Sequence, residues 1–309
     1  MNHSASRTAR GCAALLALFA CLSNADESHT SRGIEIVGRP ELFAPGIVSP
    51  EASEVRLTIS SDGKRAAWFA RNRAGGAGSY DIWTSTNVPG GWSAATQAPF
   101  NSVQRDFDPA FSADGRFLYF CSDRPGGLGG DDLYRVPVTS SGFGKPEHLG
   151  PEVNSAGNEW APMLSGDGNV LLFSSDGRDG AGRFDLFRSR HLPSGSFAPA
   201  SPLPGDINTA ADEFDGTFLA DGTTVVFARA SNLQTDRIVL AVASLRDGRY
   251  DTGAILPAIV NAPGQNTYGP MLDWSRPDQL TMSSQRPEAQ AGSTDLYIFR
   301  YRLIREKQL

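Results

Sequence analysis

The run Asp106-Phe107-Asp108-Pro109-Ala110-Phe111-Ser112-Ala113-Asp114-Gly115-Arg116-Phe117-Leu118-Tyr119-Phe120 sets two apolar-rich segments on either side of an Asp-Gly pair. Asp-Gly between such segments predicts a tight hairpin, because Gly accepts the positive φ that the turn demands. The same pair recurs at Asp62-Gly63, Asp167-Gly168 and Asp221-Gly222, and a degenerate copy, Ser275-Arg276-Pro277-Asp278, follows. The unit is therefore a repeat of a little over fifty residues. After each hairpin comes a loop, rich in Gly in repeat two from Arg124 to Gly130, and then a third strand such as Asp132-Leu133-Tyr134-Arg135-Val136. A fourth, less apolar strand is expected between Phe143 and Leu149.

Other residues keep step with the turns. Eight positions before each turn Asp stand Glu54, Asp106, Glu159 and Glu213, and thirteen before stand Ser49, Asn101, Asn154 and Asn208. Asp81, Asp132, Asp185, Asp236 and Asp295 open the third strands. Helical periodicity is not evident. Four short strands per unit, repeated, predict an all-β β-propeller of five four-stranded blades. Repeat five stops after its third strand, Asp295 to Phe299, while Arg39-Pro40-Glu41-Leu42 resembles the fourth-strand region Lys145-Pro146-Glu147-His148-Leu149. The N-terminal strand is thus expected to pair with the last blade and close the ring, leaving no open sheet edge.

The expected organisation is a signal peptide over residues 1–25, a linker over 26–38, one propeller over 39–303 and a charged tail over 304–309. Arg7 and Arg10 precede an apolar stretch from Gly11 to Leu22, too short for a membrane span, and Ser23-Asn24-Ala25 offers a cleavage site. Leu18-Phe19-Ala20-Cys21 also resembles a bacterial lipobox, although Phe19 is bulky for one. Either reading exports the chain, to the periplasm or beyond or to the outer membrane as a lipoprotein, with membrane contact only through that lipid.

The composition, 40% hydrophobic and 20% charged, fits a folded domain, and a net charge of −6 gives no footing for nucleic-acid binding. Outside the signal segment Cys121 stands alone, so no internal disulfide and no Cys/His metal spacing arises, and it reads as a small buried residue. The Gly-rich loop lacks the Lys-Ser/Thr ending of a phosphate cradle. No Gly-x-Ser-x-Gly elbow is present.

The run Asn154-x-x-x-x-Glu159-x-x-Pro162-x-x-Ser165-x-Asp167-Gly168, followed by Phe173-Ser174-Ser175-Asp176, is similar to the PD40, or WD40-like, repeat of TolB-type propellers. So is Phe120-Cys121-Ser122-Asp123-Arg124-Pro125-Gly126-Gly127-Leu128-Gly129-Gly130-Asp131-Asp132-Leu133-Tyr134. Repeat four departs from the pattern with a shorter loop lacking Gly, and in repeat five Thr267 replaces the acid. The resemblance implies an envelope-associated scaffold or binding protein. The propeller of prolyl-oligopeptidase-like enzymes is also similar, without their hydrolase domain.

The candidate site is the axial mouth. Glu54, Asp106, Glu159 and Glu213 are expected to circle it, with Asp108 and Asp215 pointing into the same funnel and Trp160 and Tyr268 beside them. Clustered acids raise one another's pKa or recruit a cation such as Ca²⁺; otherwise each acid bonds backbone N–H groups of its own loop. The third-strand Asp residues are expected to accept hydrogen bonds from turn amides, and the Asn series to form side-chain-to-backbone turns. Trp68, Phe120, Phe173 and Phe227 read as inter-blade core. The reading is a monomeric, non-catalytic scaffold without a cofactor, binding an envelope protein or peptide at the mouth. The alternative is a carbohydrate-active enzyme, a lyase or hydrolase acting on a glycan, with Asp106, Glu159 and Glu213 in an axial pocket. No acid differs in sequence from its repeats, whereas a catalytic pair needs divergent environments.

Overall fold

A computed structural model describes residue 1 and residues 28–31, 33–47, 52–286 and 294–304. The signal segment with Cys21, Ser49, and residues 305–309 of the tail lie outside the described residues. Among the described residues every regular element is a strand, and the strands form five antiparallel sheets, one per repeat. In each blade the innermost strand enters the hairpin at the turn Asp. These strands are Ser53–Ile59, Asp106–Phe111, Glu159–Leu164, Asp212–Phe218 and Thr267–Leu272. Asp62, Asp114 and Asp167 each bond a serine hydroxyl two residues back and an amide two residues on, and Gly63, Gly115 and Gly168 take positive φ. In blade five the turn is built on Asp273, which accepts from the amide and hydroxyl of Ser275, and not on Asp278.

The ring closes as the sequence requires. Ile34–Leu42 pairs with Asp295–Leu303, with Glu41 opposite Ile298 and Leu42 opposite Tyr297. Glu147 and His148 stand opposite Arg135 and Tyr134 in the same register, so Glu41-Leu42 is the fourth strand of blade five. The sheet starts earlier than expected. Ser28–Ser31 pairs with the first half of Ile34–Leu42, so much of the 26–38 stretch assigned to a linker is strand instead. Ile34 and Ile36 are fully buried at alternate positions, as a strand with one face on the core requires. Elsewhere the fourth strands are only two residues long, as at Glu147–His148, preceded by a small hairpin through Gly142–Phe143.

The Gly-rich loops join the blades. A Cβ on Gly76, Gly127 or Gly180 would collide with the carboxylate of Asp81, Asp132 or Asp185, five residues on. A Cβ on Gly78, Gly129 or Gly182 would strike backbone of the next blade's loop. Each such loop therefore wraps its own third-strand acid while lying flat on its neighbour. Asp81 accepts from the amides of Ala77 and Gly78, Asp132 from Leu128 and Asp185 from Gly182. Asp236 does not belong to the series: it sits exposed in a turn, and Val239 fills the register position opposite Arg229. The Asn series makes no local turn. The amides of Asn101, Asn154, Asn208 and also Asn261 each bond both the N–H and the C=O of a third-strand residue in the preceding blade, such as Leu133 for Asn154 at 2.8 and 3.1 Å. A side-chain amide substitutes there for a missing strand.

Trp68, Phe120, Phe173 and Phe227 are fully buried between blades. Ile36→Ala removes a fully buried side chain from the closing strand, and a loss of about 2–4 kcal/mol is expected in urea unfolding. Exposed Glu41→Gln, tested beside it, should stay near wild type.

Candidate functional site

The acids eight residues before the turns do not line the mouth. Glu54, Asp106, Glu159 and Glu213 are all fully buried within their own blades. Glu159 accepts from the Ser155 amide at 2.9 Å and from the Ser175 hydroxyl at 2.8 Å. Glu213 accepts from the Thr209 amide at 2.8 Å and from Arg229 Nε at 2.8 Å, and Asp106 from Ser102 and Arg124. Burial pushes the Glu159 and Glu213 carboxyls upward. Spacing alone could not tell a mouth acid from a loop clasp, because both sit at the start of the innermost strand.

A second series, not singled out in the sequence, completes the clasps. Arg73, Arg124, Arg178 and Arg286 follow the second strands and Arg229 lies near the end of its own, Thr224–Ala230. Four of the five reach loop carbonyls: Phe100, Val153, Ile207 and Val260 respectively from Arg124 onward. Arg73 stands 3.9 Å from Glu54. Their offsets from the hairpin turns differ from blade to blade, so no single spacing marked them in the chain. Arg229→Met would leave Glu213 buried without its cation, and a destabilisation of about 3 kcal/mol is expected by chemical unfolding.

One residue per innermost strand leaves the sheet. Arg56, Asp108, Ala161, Asp215 and Gly269 have φ between 51° and 61°, each at a register shift of its inner pair. These bulges aim side chains at the axis. Three of their amides donate to side chains on the second strand of the blade before: Arg56 to Ser283 Oγ at 3.0 Å, Ala161 to Cys121 Sγ at 3.3 Å and Asp215 to Ser174 Oγ at 3.2 Å. Cys121 thus occupies a serine position of the ring, fully buried, with its thiol pKa pushed well up by burial. Blade four carries Ala228 at that position, and Asp215 Oδ2 accepts the Gly269 amide instead, at 3.0 Å.

Above the bulges lies an axial cavity of about 450 Å³. Its collar is Val55, Phe107, Trp160, Phe214 and Tyr268, one residue from each blade, with Tyr80 and Phe69 alongside. Asp108 and Asp215 are also among its lining residues, 5% and 6% exposed. Of the residues expected at the mouth, the structure therefore brings together Asp108, Trp160, Asp215 and Tyr268. Trp160 is fixed by stacking on Phe184 at 4.1 Å and by donating Nε1–H to buried Asp131 at 2.9 Å. Below, Arg56 crosses the ring to the carbonyls of Ala161 and Pro162 at 3.2 and 3.4 Å. Further down, Met163, Thr217 and Met271 are fully buried, Thr217 Oγ1 contacting the sulfur of both methionines, and Trp274 Nε1 reaches Phe111 O in blade two at 2.9 Å. The cavity is blind, opening only at the loop end.

Three arginines stand in its wall. Arg105 is held by Asp123 at 3.0 Å and Asp131 at 2.7 Å, and Arg183 lies 3.8 Å from Asp176. Arg71 is exposed and lies over the Tyr80 ring at 5.2 Å. Burial and the nearby Asp215 push the Asp108 carboxyl up to about 8, and burial raises Asp215 as well. Among the described residues no three His, Cys, Asp or Glu side chains converge as a metal site.

A blind, aromatic-collared cavity on the axis of a five-bladed ring defines a propeller with one central ligand-sized pocket. No family model matches the chain, and no curated protein matches it. Among solved structures it is similar to TolB from Acinetobacter baumannii at 14% identity and TM-score 0.50, covering 82% of this chain and 56% of that one. It is also similar to an α-L-arabinofuranosidase from Lactobacillus brevis at 8% identity and TM-score 0.56, covering 84% and 92%. A thermostable family-43 glycoside hydrolase matches at 11% identity and TM-score 0.53, covering 87% and 94%. The chain thus spans just over half the length of the Acinetobacter TolB. The fold is a TolB-like β-propeller, here of five blades.

Asp108 carries a pH signature. In the folded protein it holds its proton up to about pH 8, whereas unfolded it releases it near 3.8. The native state binds more protons between those values, so stability falls as pH rises through that window. Asn suits the left-handed backbone there, so Asp108→Asn should fold. The wild-type minus variant stability difference is expected to drop by up to about 1.4 kcal/mol per pH unit between pH 5 and 8, read by urea unfolding.

Proposed function

We propose that this chain is an exported, monomeric propeller that binds a peptide segment of an envelope protein in its axial cavity without turning it over. The observation that carries the reading is the blind cavity with an aromatic side chain from four of five blades at its collar. A rigid ring pre-orders such a surface, so little conformational entropy is lost on binding. Around it the loop face exposes apolar Val103 and Leu128, at 79% and 50%. Both belong to loops at the same end of the blades as the mouth, a fit to a protein surface wider than the pocket. The N-terminal segment that resembles a signal peptide supports export.

A second reading keeps the carbohydrate-active enzyme but moves its residues. Asp106, Glu159 and Glu213 are committed to loop clasps, so the pair would be Asp108 and Asp215. What favours it is that Asp108 is held protonated at neutral pH, as a general acid must be.

Crosslinked recovery from envelope extract separates the two. Trp160→Ala and Tyr268→Ala are expected to lower recovery of one stoichiometric protein at least tenfold, as central aromatic anchors do. Glu54→Gln should retain it. Reducing-end release from a polysaccharide panel, abolished in Asp108→Asn and Asp215→Asn, would replace the binding reading with the enzymatic one.

A further inference from the structure

The floor of the cavity holds a carboxyl that no donor reaches, although Arg56 below keeps Nε and Nη1 without hydrogen-bond partners. Asp108 is 95% buried, lines the cavity and has no hydrogen-bond or ion-pair partner among the described residues. Asp215 has the Gly269 amide. Arg56, the nearest cation below, directs its bonds across the ring to Ala161 and Pro162, and no ion pair within 4 Å links it to either acid. An unpartnered carboxyl in a low-dielectric site is costly, and two neighbouring ones cannot both ionise without a compensating positive charge. Around them stand the rings of Phe107, Phe214, Trp160 and Tyr268, an aromatic wall that accepts an aliphatic stem and whose ring faces attract a cation.

We propose that Asp108 and Asp215 together hold the ammonium group of a lysine side chain from the bound peptide, its four-carbon stem passing through the aromatic collar. This rests on the peptide-binding reading above and names the residue that the site selects. A lysine supplies three donors on a point charge at the end of an apolar stem long enough to clear a collar one residue deep. A sugar brings no charge, and a guanidinium, although cationic, is a planar fork suited to pairing bidentately with one carboxylate, whereas an ammonium is a point charge that two carboxylates can share.

Binding is linked to protons. The ammonium requires the pair ionised, so a proton leaves Asp108 as lysine enters. The other groups acting on Asp108 are Arg56 and Arg71 from blade one and Asp131 from blade two, besides Asp215 of blade four. Cys121 and Tyr268 are held neutral by burial, and Arg105 and Arg183 are matched by their own acids. Asp108 is therefore the group that titrates on binding near neutral pH. Arg71 is the like charge at the rim that opposes the ligand.

The test is calorimetry on the whole chain with N-acetyl-lysine N-methylamide as probe, beside its norleucine and glutamate counterparts. The lysine probe is expected to bind and the norleucine probe at least tenfold more weakly. Affinity should rise about tenfold from pH 6 to 7, with release of close to one proton measured across buffers. Asp108→Asn should cost at least tenfold and remove the proton release, and Arg71→Gln should tighten binding two- to fivefold. Preference for the glutamate probe, lost in Arg71→Gln, would overturn the proposal in favour of an anionic ligand. Equal binding of lysine and norleucine probes, or no lysine binding by wild type, would overturn it too. If Asp108→Asn keeps the envelope partner while Trp160→Ala loses it, the ammonium site fails and the peptide-binding reading stands.

Discussion

Everything at the axis depends on one backbone device, the left-handed residue at the same bulge of all five innermost strands. A regular strand would keep its side chains perpendicular to its own sheet, buried between blades. The bulge turns one side chain per blade out of that pattern, and turns one amide toward the preceding blade. A left-handed residue with a Cβ is strained by roughly 1–2 kcal/mol, and the ring offsets this with the amide bonds to Ser283, Cys121 and Ser174. Where blade four offers Ala228 instead of a hydroxyl, Asp215 itself supplies the acceptor. Fivefold backbone regularity thus coexists with four different residue types at the axis.

That division separates structure from site. The repeated polar residues hold blades together: Glu or Asp with Arg in the loop clasps, Asn amides standing in for strands, Asp within the Gly-rich loops. The residues that vary among blades, Arg56, Asp108, Ala161, Asp215 and Gly269, are the ones facing the axis. An acid repeated in four of the five blades reports a need that the blades share. An acid found in only two reports a need of the cavity, and Asp108, with no partner of its own, reports it most directly.

Much of the fold was legible in the chain because turns and strand register are local. Four Asp-Gly pairs fixed the hairpins, and the match of Glu41-Leu42 to Glu147-His148 placed the closing strand in its true register. The early start at Ser28 was hidden because Ile34 and Ile36 read as two scattered apolar residues until a partner strand is known. Of the eight candidate site residues, Asp108, Trp160, Asp215 and Tyr268 line the cavity, while the four repeated acids do not. They differ in position by two residues at most. Strand alternation and a bulge, rather than residue type, decide which of them faces the axis.

The sequence by itself determined the repeat, the strand order, the ring closure and the buried character of Cys121, since each follows from short-range pattern and from matching one repeat with another. Only the tertiary structure decided which carboxylates are clasped and which face the cavity, that the cavity is blind, and that Arg56 and Trp274 close its axis from neighbouring blades across to blades three and two. Those facts are contacts between residues about fifty to one hundred and sixty positions apart, between side chains of different blades. No local preference encodes them. They exist only when five bulges converge on one axis.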